Sequence, residues 1–108
     1  MNDPLNAWMN QTVVIDTDGP IVYLGRLTEV GENALMLADA DVHDCRDGHA
    51  SKEAYLAEAL ENGVTINRRR VAVLRRIIMS VSPLEDIVLV DLTGNDDLPE
   101  ADLLMEDE

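Results

Sequence analysis

The chain has 108 residues and a net charge of −14, with 22 acidic residues against 8 basic ones. This length indicates one domain with a modest core, and the absence of Phe makes that core aliphatic. The sequence shows no membrane-spanning apolar run and no secretory signal, and its single Cys45 excludes an intrachain disulfide, so we expect a cytoplasmic protein.

The N-terminal part predicts a short helix followed by an antiparallel meander of strands. Asp3 suits the cap of that helix and Pro4 its first turn. Strands are expected over Thr12–Asp16 and Ile21–Thr28, and a return strand around Leu35–Ala38 should be buried or covered. The polar residues 29–33 predict the turn between the last two strands.

Gly25 is the expected point of strongest bending. Val22 and Leu24 share one face of their strand, whereas Leu27 is out of phase with them. A Gly inside a strand commonly marks a bulge, because no Cβ obstructs a distorted backbone. A strand bent in this way begins to close a small barrel.

The C-terminal part predicts a loop, a helix and further strands. The polar stretch Asp39–Ala50 indicates a loop, and Ser51 can cap a helix over Lys52–Glu61. The apolar stripe of that helix should pack on the barrel or on a neighbouring subunit; it comprises Tyr55, Leu56, Ala59 and Leu60. Strand character resumes over Val64–Ile66 and Val71–Val81, and Ile87–Leu92 is either one more strand or an edge.

Charge is distributed unevenly along the chain. Eight of the acidic residues lie in 91–108, and five of the eight basic residues lie between Arg68 and Arg76. We expect residues 1–90 to form the domain and 91–108 to be an acidic, flexible tail. Two hypotheses fit the tail: it competes with polyanions for the arginine cluster, or it only aids solubility.

This order of elements resembles the Sm and Sm-like (LSm) family. The residues that carry the first motif are 12–16, Gly19, 22–27 and 35–40, and Val71–Val81 resembles the shorter second motif. The resemblance covers residues 5–90. It implies a mainly β protein, a strongly bent five-stranded antiparallel barrel with a short N-terminal helix. The insertion over 41–63, which holds the helix expected at about 51–62, is a departure from the family, whose hairpin is shorter there.

The resemblance also implies association with RNA. In the family's RNA-contacting loop an Asn precedes the third strand, and here Asn33 falls one place from that position. The Arg-Gly of the second motif aligns with Leu74-Arg75 or with Arg75-Arg76, so its Gly is missing. The predicted nucleic-acid-binding residues are Asn33, Arg68, Arg69, Arg70, Arg75 and Arg76.

Two interpretations of the arginine cluster remain open. Arginine forks match phosphate geometry and would contact RNA. Alternatively, the arginines pair with carboxylates of a neighbouring subunit or of the tail, which the net charge of −14 favours. The absence of Phe and the single Trp leave little for base stacking.

The stretch 39–49 concentrates side chains that can ligate metals. An EF-hand counted from Asp39 fails, because its sixth and twelfth positions hold Asp44 and Ala50. His43, Cys45 and His49 could supply three ligands to a transition metal, but no further ligand pair with recognised spacing follows. We therefore expect a solvated polar loop and no cofactor.

No nucleophile elbow, phosphate loop or dinucleotide fingerprint is present, so we expect no enzyme. The favoured function is a non-catalytic homo-oligomeric module, a ring by family resemblance, with RNA association. The homo-oligomer is also indicated by two apolar strand runs, around Leu35–Ala38 and Val71–Met79, which a small chain cannot bury alone. The alternatives are a protein-binding ring scaffold without RNA affinity and, third, a metal-dependent activity of the 39–49 loop.

Overall fold

The computed structural model describes residues 3–46 and 51–88. Its strands are β1 (Thr12–Thr17), β2 (Ile21–Val30), β3 (Ala34–Asp44), β4 (Arg68–Leu74) and β5 (Ile78–Pro83). One α-helix, α1 (Lys52–Asn62), lies between β3 and β4, and 3-10 helices span Pro4–Trp8, Arg75–Ile77 and Leu84–Asp86. No helix in the described ranges is long and apolar enough to cross a membrane.

All five strands form one antiparallel sheet in the order β4-β3-β2-β1-β5. The predicted fold class, a mainly β protein with five antiparallel strands, is confirmed. The short N-terminal helix is also present, as a 3-10 helix that Asp3 caps by accepting a hydrogen bond from the Leu5 amide at 2.9 Å. Within the described chain β4 and β5 each have a strand on one side only, so both are edges.

The bend predicted at Gly25 is present in β2. The register of β2 on β3 shifts between Leu24 and Arg26, which is the signature of a bulge. A Cβ at Gly25 would lie 3.0 Å from the Cβ atoms of Leu37 and Ala40, so no larger residue fits without displacing β3. On the facing strand Asp39 has a φ of 51°, so both strands depart from regular geometry at the same level.

The sheet has an apolar cluster on each face, because side chains alternate along a strand. One cluster contains Val13, Ile15, Leu27, Leu35, Leu37, Ala40 and Val73. The N-terminal 3-10 segment packs against that cluster through Leu5, Trp8 and Met9. The other contains Val14, Val22, Leu24, Leu56, Ala59 and Leu84.

Helix α1 covers the second cluster. The Ser51 hydroxyl accepts a hydrogen bond from the Ala54 amide, and Gly63 ends the helix with a φ of 88°. Leu56 and Ala59 are buried against the sheet, as predicted, whereas Leu60 is exposed. The inserted helix therefore belongs to the core of this domain.

Leu56→Ala should lower the free energy of unfolding by about 2–5 kcal/mol, because it opens a cavity under α1. Urea titration of the variant measures this loss. Leu60→Ala is the comparison variant and should cost clearly less, since Leu60 is 37% exposed in the same helix whereas Leu56 is 6% exposed. Equal losses for the two variants would contradict the packing of α1 on the sheet.

The predicted loop over Asp39–Ala50 is wrong for its first half, because β3 continues to Asp44. This polar stretch is a strand because it has partners on both sides. His43 lies opposite Val22 of β2. The Asn67 side chain accepts from the Val42 amide at 3.0 Å and donates to the Val42 carbonyl at 3.1 Å, so it extends the ladder beyond β4.

Two strand predictions also need correction. Val64–Ile66 is not a strand, and strand structure begins at Arg68. The predicted strand Val71–Val81 is divided by the 3-10 turn Arg75–Ile77 into the ends of β4 and β5. Residues 87 and 88 form no strand, and the rest of the predicted segment 87–92, like the tail 91–108, lies outside the described residues. The domain boundary at residue 90 stays a prediction.

Candidate nucleic-acid interface

The turn between β2 and β3 meets the turn that follows β4. Ala34 and Leu74 form the last pair of the β3–β4 ladder, and beyond them the Arg75 amide donates to the Asn33 carbonyl at 2.9 Å. Gly31 closes the β2–β3 turn by donating to the Ala34 carbonyl at 2.9 Å, and a Cβ there would lie only 2.9 Å from the same oxygen. The sheet register thus brings two distant parts of the sequence together.

An open surface depression of about 430 Å³ lies between these turns. Its lining consists of Glu32, Asn33, Leu74, Arg75 and Arg76. Three of the six predicted nucleic-acid-binding residues, Asn33, Arg75 and Arg76, are therefore gathered in one place. We call this site the Asn33–Arg76 depression.

Arg75 is held firmly within the depression. Its Nε donates to the Gly31 carbonyl at 2.9 Å, and one terminal nitrogen contacts Asp3 Oδ2 at 2.5 Å. The bond from the Leu5 amide, followed by the Arg75 guanidinium, holds the pKa of the Asp3 carboxyl below its usual range. Asp3 is thus a charged partner of Arg75 at neutral pH.

The other three predicted residues, Arg68, Arg69 and Arg70, lie apart from the depression. They begin β4, and a strand advances about 3.3 Å per residue, so Arg68 is about 20 Å from Leu74 along the chain. All three are exposed. They belong to the β4 edge and not to the depression.

Ion pairing separates the basic residues into two groups. Arg26, Arg46, Lys52 and Arg75 each pair with an Asp: Asp39, Asp44, Asp16 and Asp3 respectively. Within residues 3–46 and 51–88, no ion pair is formed by Arg68, Arg69, Arg70 or Arg76. Within those ranges, these four guanidiniums therefore carry a charge that no carboxylate offsets by direct contact.

A polar cluster outside the depression lies under α1. Asp41 is buried and accepts hydrogen bonds from the Tyr55 hydroxyl at 2.6 Å and from the Asn67 amide at 2.8 Å. Burial, and then the bond to Asp41, raise the pKa of Tyr55 well above its usual value, so its hydroxyl stays a donor at neutral pH. His43 stacks on the Tyr55 ring with centroids 3.9 Å apart. The cluster fastens α1 to β3.

The described residues do not assemble the metal site considered from the sequence. His49 lies outside them, and no group of three suitable ligands occurs in the ranges 3–46 and 51–88. Burial raises the pKa of the Cys45 thiol, which disfavours the thiolate that binds metals. The expected solvated loop is wrong over 39–44, because that segment is strand and Asp41 is buried.

Sequence reasoning missed the role of Asp3 in this site. The Asp3-Pro4 pair predicts a helix start, which is correct, but the second carboxylate oxygen of Asp3 contacts Arg75, 72 positions away. No local pattern encodes such a contact. Glu32 in the β2–β3 turn and Leu74 at the end of β4 were missed because no binding motif assigns a role to either side chain.

Known proteins resemble this chain in fold and not in sequence. No family model and no curated protein sequence matches the chain. Among solved structures it is similar to the Pyrococcus abyssi Sm protein in complex with a uridine heptamer, with a TM-score of 0.51 and 16% identity over 76% of this chain and 99% of that one. It is also similar to the LSM domain of Dm EDC3 (Enhancer of Decapping 3), with a TM-score of 0.48 and 18% identity over 87% of this chain and 75% of that one.

The chain therefore has a divergent Sm-like fold. This conclusion rests on the sheet order, the bend at Gly25 and the likeness to the Pyrococcus protein.

Proposed function

We propose that the protein is a non-catalytic, cytoplasmic module that assembles from copies of itself and binds single-stranded RNA at the Asn33–Arg76 depression. The observation that supports RNA binding is the convergence of Asn33, Arg75 and Arg76 on one depression. An amide side chain can hydrogen-bond a base edge, and guanidiniums match phosphate. The Pyrococcus protein of similar fold was solved with a uridine heptamer.

The expected affinity is modest because few positive charges are available. Arg75 is neutralised by Asp3, and Glu32 also lines the depression, so Arg76 is the one guanidinium there without an ion pair among the described residues. Binding at the depression should therefore weaken only shallowly with salt, unless Arg68–Arg70 also contact the backbone.

The test is binding of a uridine heptamer to the purified protein by fluorescence anisotropy over a salt series. Arg76→Ala should weaken binding at low salt and reduce the slope of log K against log salt by about 0.7, the value for one contact to a single-stranded phosphate. Arg46→Ala is the control, because it removes the same charge from a residue that pairs with Asp44 at the far end of β3. No binding by the parent protein at low salt would contradict RNA binding.

Self-assembly is supported by the two uncovered sheet edges. β4 presents an exposed Leu74, and β5 presents Met79 with 69% of its surface exposed. Open edges with apolar side chains favour pairing with another strand. Because β4 and β5 are different surfaces, pairing β4 of one copy with β5 of the next gives a head-to-tail contact that can repeat from copy to copy. The repeated contact closes a ring if the rotation between neighbouring copies permits it.

A protein-binding assembly without RNA affinity is the second candidate function. It is favoured by the contact of Asp3 with Arg75, which lines the depression, and by the net charge of −14. In that case Arg68–Arg70 would bind carboxylates of a protein partner. The heptamer titration distinguishes the two candidates, because only the first predicts that Arg76→Ala changes a measurable affinity.

A further inference from the structure

Asp3 places a carboxylate where an anionic ligand of the depression would contact Arg75. Its Oδ2 lies 2.5 Å from a terminal nitrogen of Arg75 while its Oδ1 caps the N-terminal 3-10 helix. About one third of each side chain is exposed, so ligand and carboxylate would meet at an accessible surface. A carboxylate and a phosphate oxygen use the same donors of a guanidinium.

We propose that Asp3 is an internal anion of the Asn33–Arg76 depression that competes with the phosphate of a bound nucleotide for Arg75 and so sets the affinity of the site. This inference rests on the proposed nucleotide binding. Asp3 is a positioning residue in this proposal: it changes the affinity through Arg75 and does not contact the ligand.

The charges around the depression support this role. Two carboxylates, Asp3 and Glu32, face two guanidiniums, Arg75 and Arg76, so their net charge is zero. Only Asp3 contacts a guanidinium there; Glu32 makes no ion pair within the described ranges. Removing the charge of Asp3 therefore leaves an excess of one positive charge and frees Arg75 for phosphate.

The charge can be removed without removing the helix cap. Asn retains a side-chain oxygen that can accept from the Leu5 amide, and Asn and Asp are similarly good N-caps. Asp3→Asn should consequently keep the fold and lose only the exposed ion pair with Arg75. Asp18→Asn removes the same charge from an exposed residue in the β1–β2 turn, at the opposite end of β2, and is the matched control.

Two probes measure the effect. For the uridine heptamer, Asp3→Asn should bind about 2–5-fold tighter per site than Asp18→Asn at low salt, the range expected for one exposed ion pair. Its salt slope should be steeper by about 0.7. In an NMR titration with inorganic phosphate, the backbone amide signals of Asn33 and Arg75 should shift at a lower phosphate concentration in Asp3→Asn than in Asp18→Asn. Adding Arg75→Gln to Asp3→Asn should abolish both gains.

The two proposals can fail separately. If Asp3→Asn and Asp18→Asn respond alike to inorganic phosphate at Asn33 and Arg75, Asp3 is not a competitor, whatever the heptamer does. If the gain persists after Arg75→Gln, the effect does not act through Arg75 and the inference is also wrong. If phosphate shows the predicted difference while no variant binds the heptamer, RNA binding fails and the competition between Asp3 and phosphate stands.

Discussion

Mixing Leu74→Lys with Met79→Lys will give a dimer of one copy of each variant, while each variant alone remains a monomer. A lysine on an edge strand opposes docking, because pairing would bury its charge. Leu74→Lys blocks β4 and leaves β5 usable, and Met79→Lys does the reverse. One intact β4–β5 contact then forms in the mixture, and assembly stops there.

Light scattering and native mass spectrometry measure these states. Val88→Lys is the control for added charge, since Val88 is 88% exposed and lies in neither edge strand, and it should assemble like the parent. If Leu74→Lys dimerises alone, the contact joins like edges, β5 to β5. If the parent is itself a monomer at micromolar concentration, self-assembly through these edges is wrong.

Local patterns carried most of the fold prediction. The strand predicted over Thr12–Asp16 is present, and its residues Val13, Val14 and Ile15 divide between the two clusters. Gly25 predicts the bulge, because only the absence of a Cβ allows β2 to approach β3 so closely. Ser51 predicts the start of α1, because a hydroxyl at that place satisfies a free amide.

Long-range partners explain what the sequence did not reveal. Residues 39–44 have the composition of a loop, yet they form strand because the Asn67 side chain, 25 positions from Val42, supplies the hydrogen bonds that β4 does not. In the site, Asn33, Arg75 and Arg76 were predicted together, whereas the length of β4 separates Arg68–Arg70 from them. Asp3 could be assigned only after the fold had placed it beside Arg75.

Asp41→Ala should be the most destabilising single substitution in the polar cluster of Asp41, Tyr55 and Asn67. Asp41 is 8% exposed, and its two oxygens accept from Tyr55 at 2.6 Å and Asn67 at 2.8 Å. Hydrogen bonds to a charged group contribute about 1.5–3 kcal/mol each, so we expect the free energy of unfolding to fall by about 3–6 kcal/mol. The loss should free α1 from β3.

Tyr55→Phe isolates one half of that network. It removes the hydroxyl donor and keeps the ring that stacks on His43, so it should cost about 1.5–3 kcal/mol, less than Asp41→Ala. Asp18→Ala is the control for loss of an exposed carboxylate and should change stability by less than about 0.5 kcal/mol. Urea titration at neutral pH gives all three values. If Asp41→Ala unfolds at the same urea concentration as Asp18→Ala, Asp41 does not join α1 to β3, and the apolar contacts of Leu56 and Ala59 alone hold the helix on the sheet.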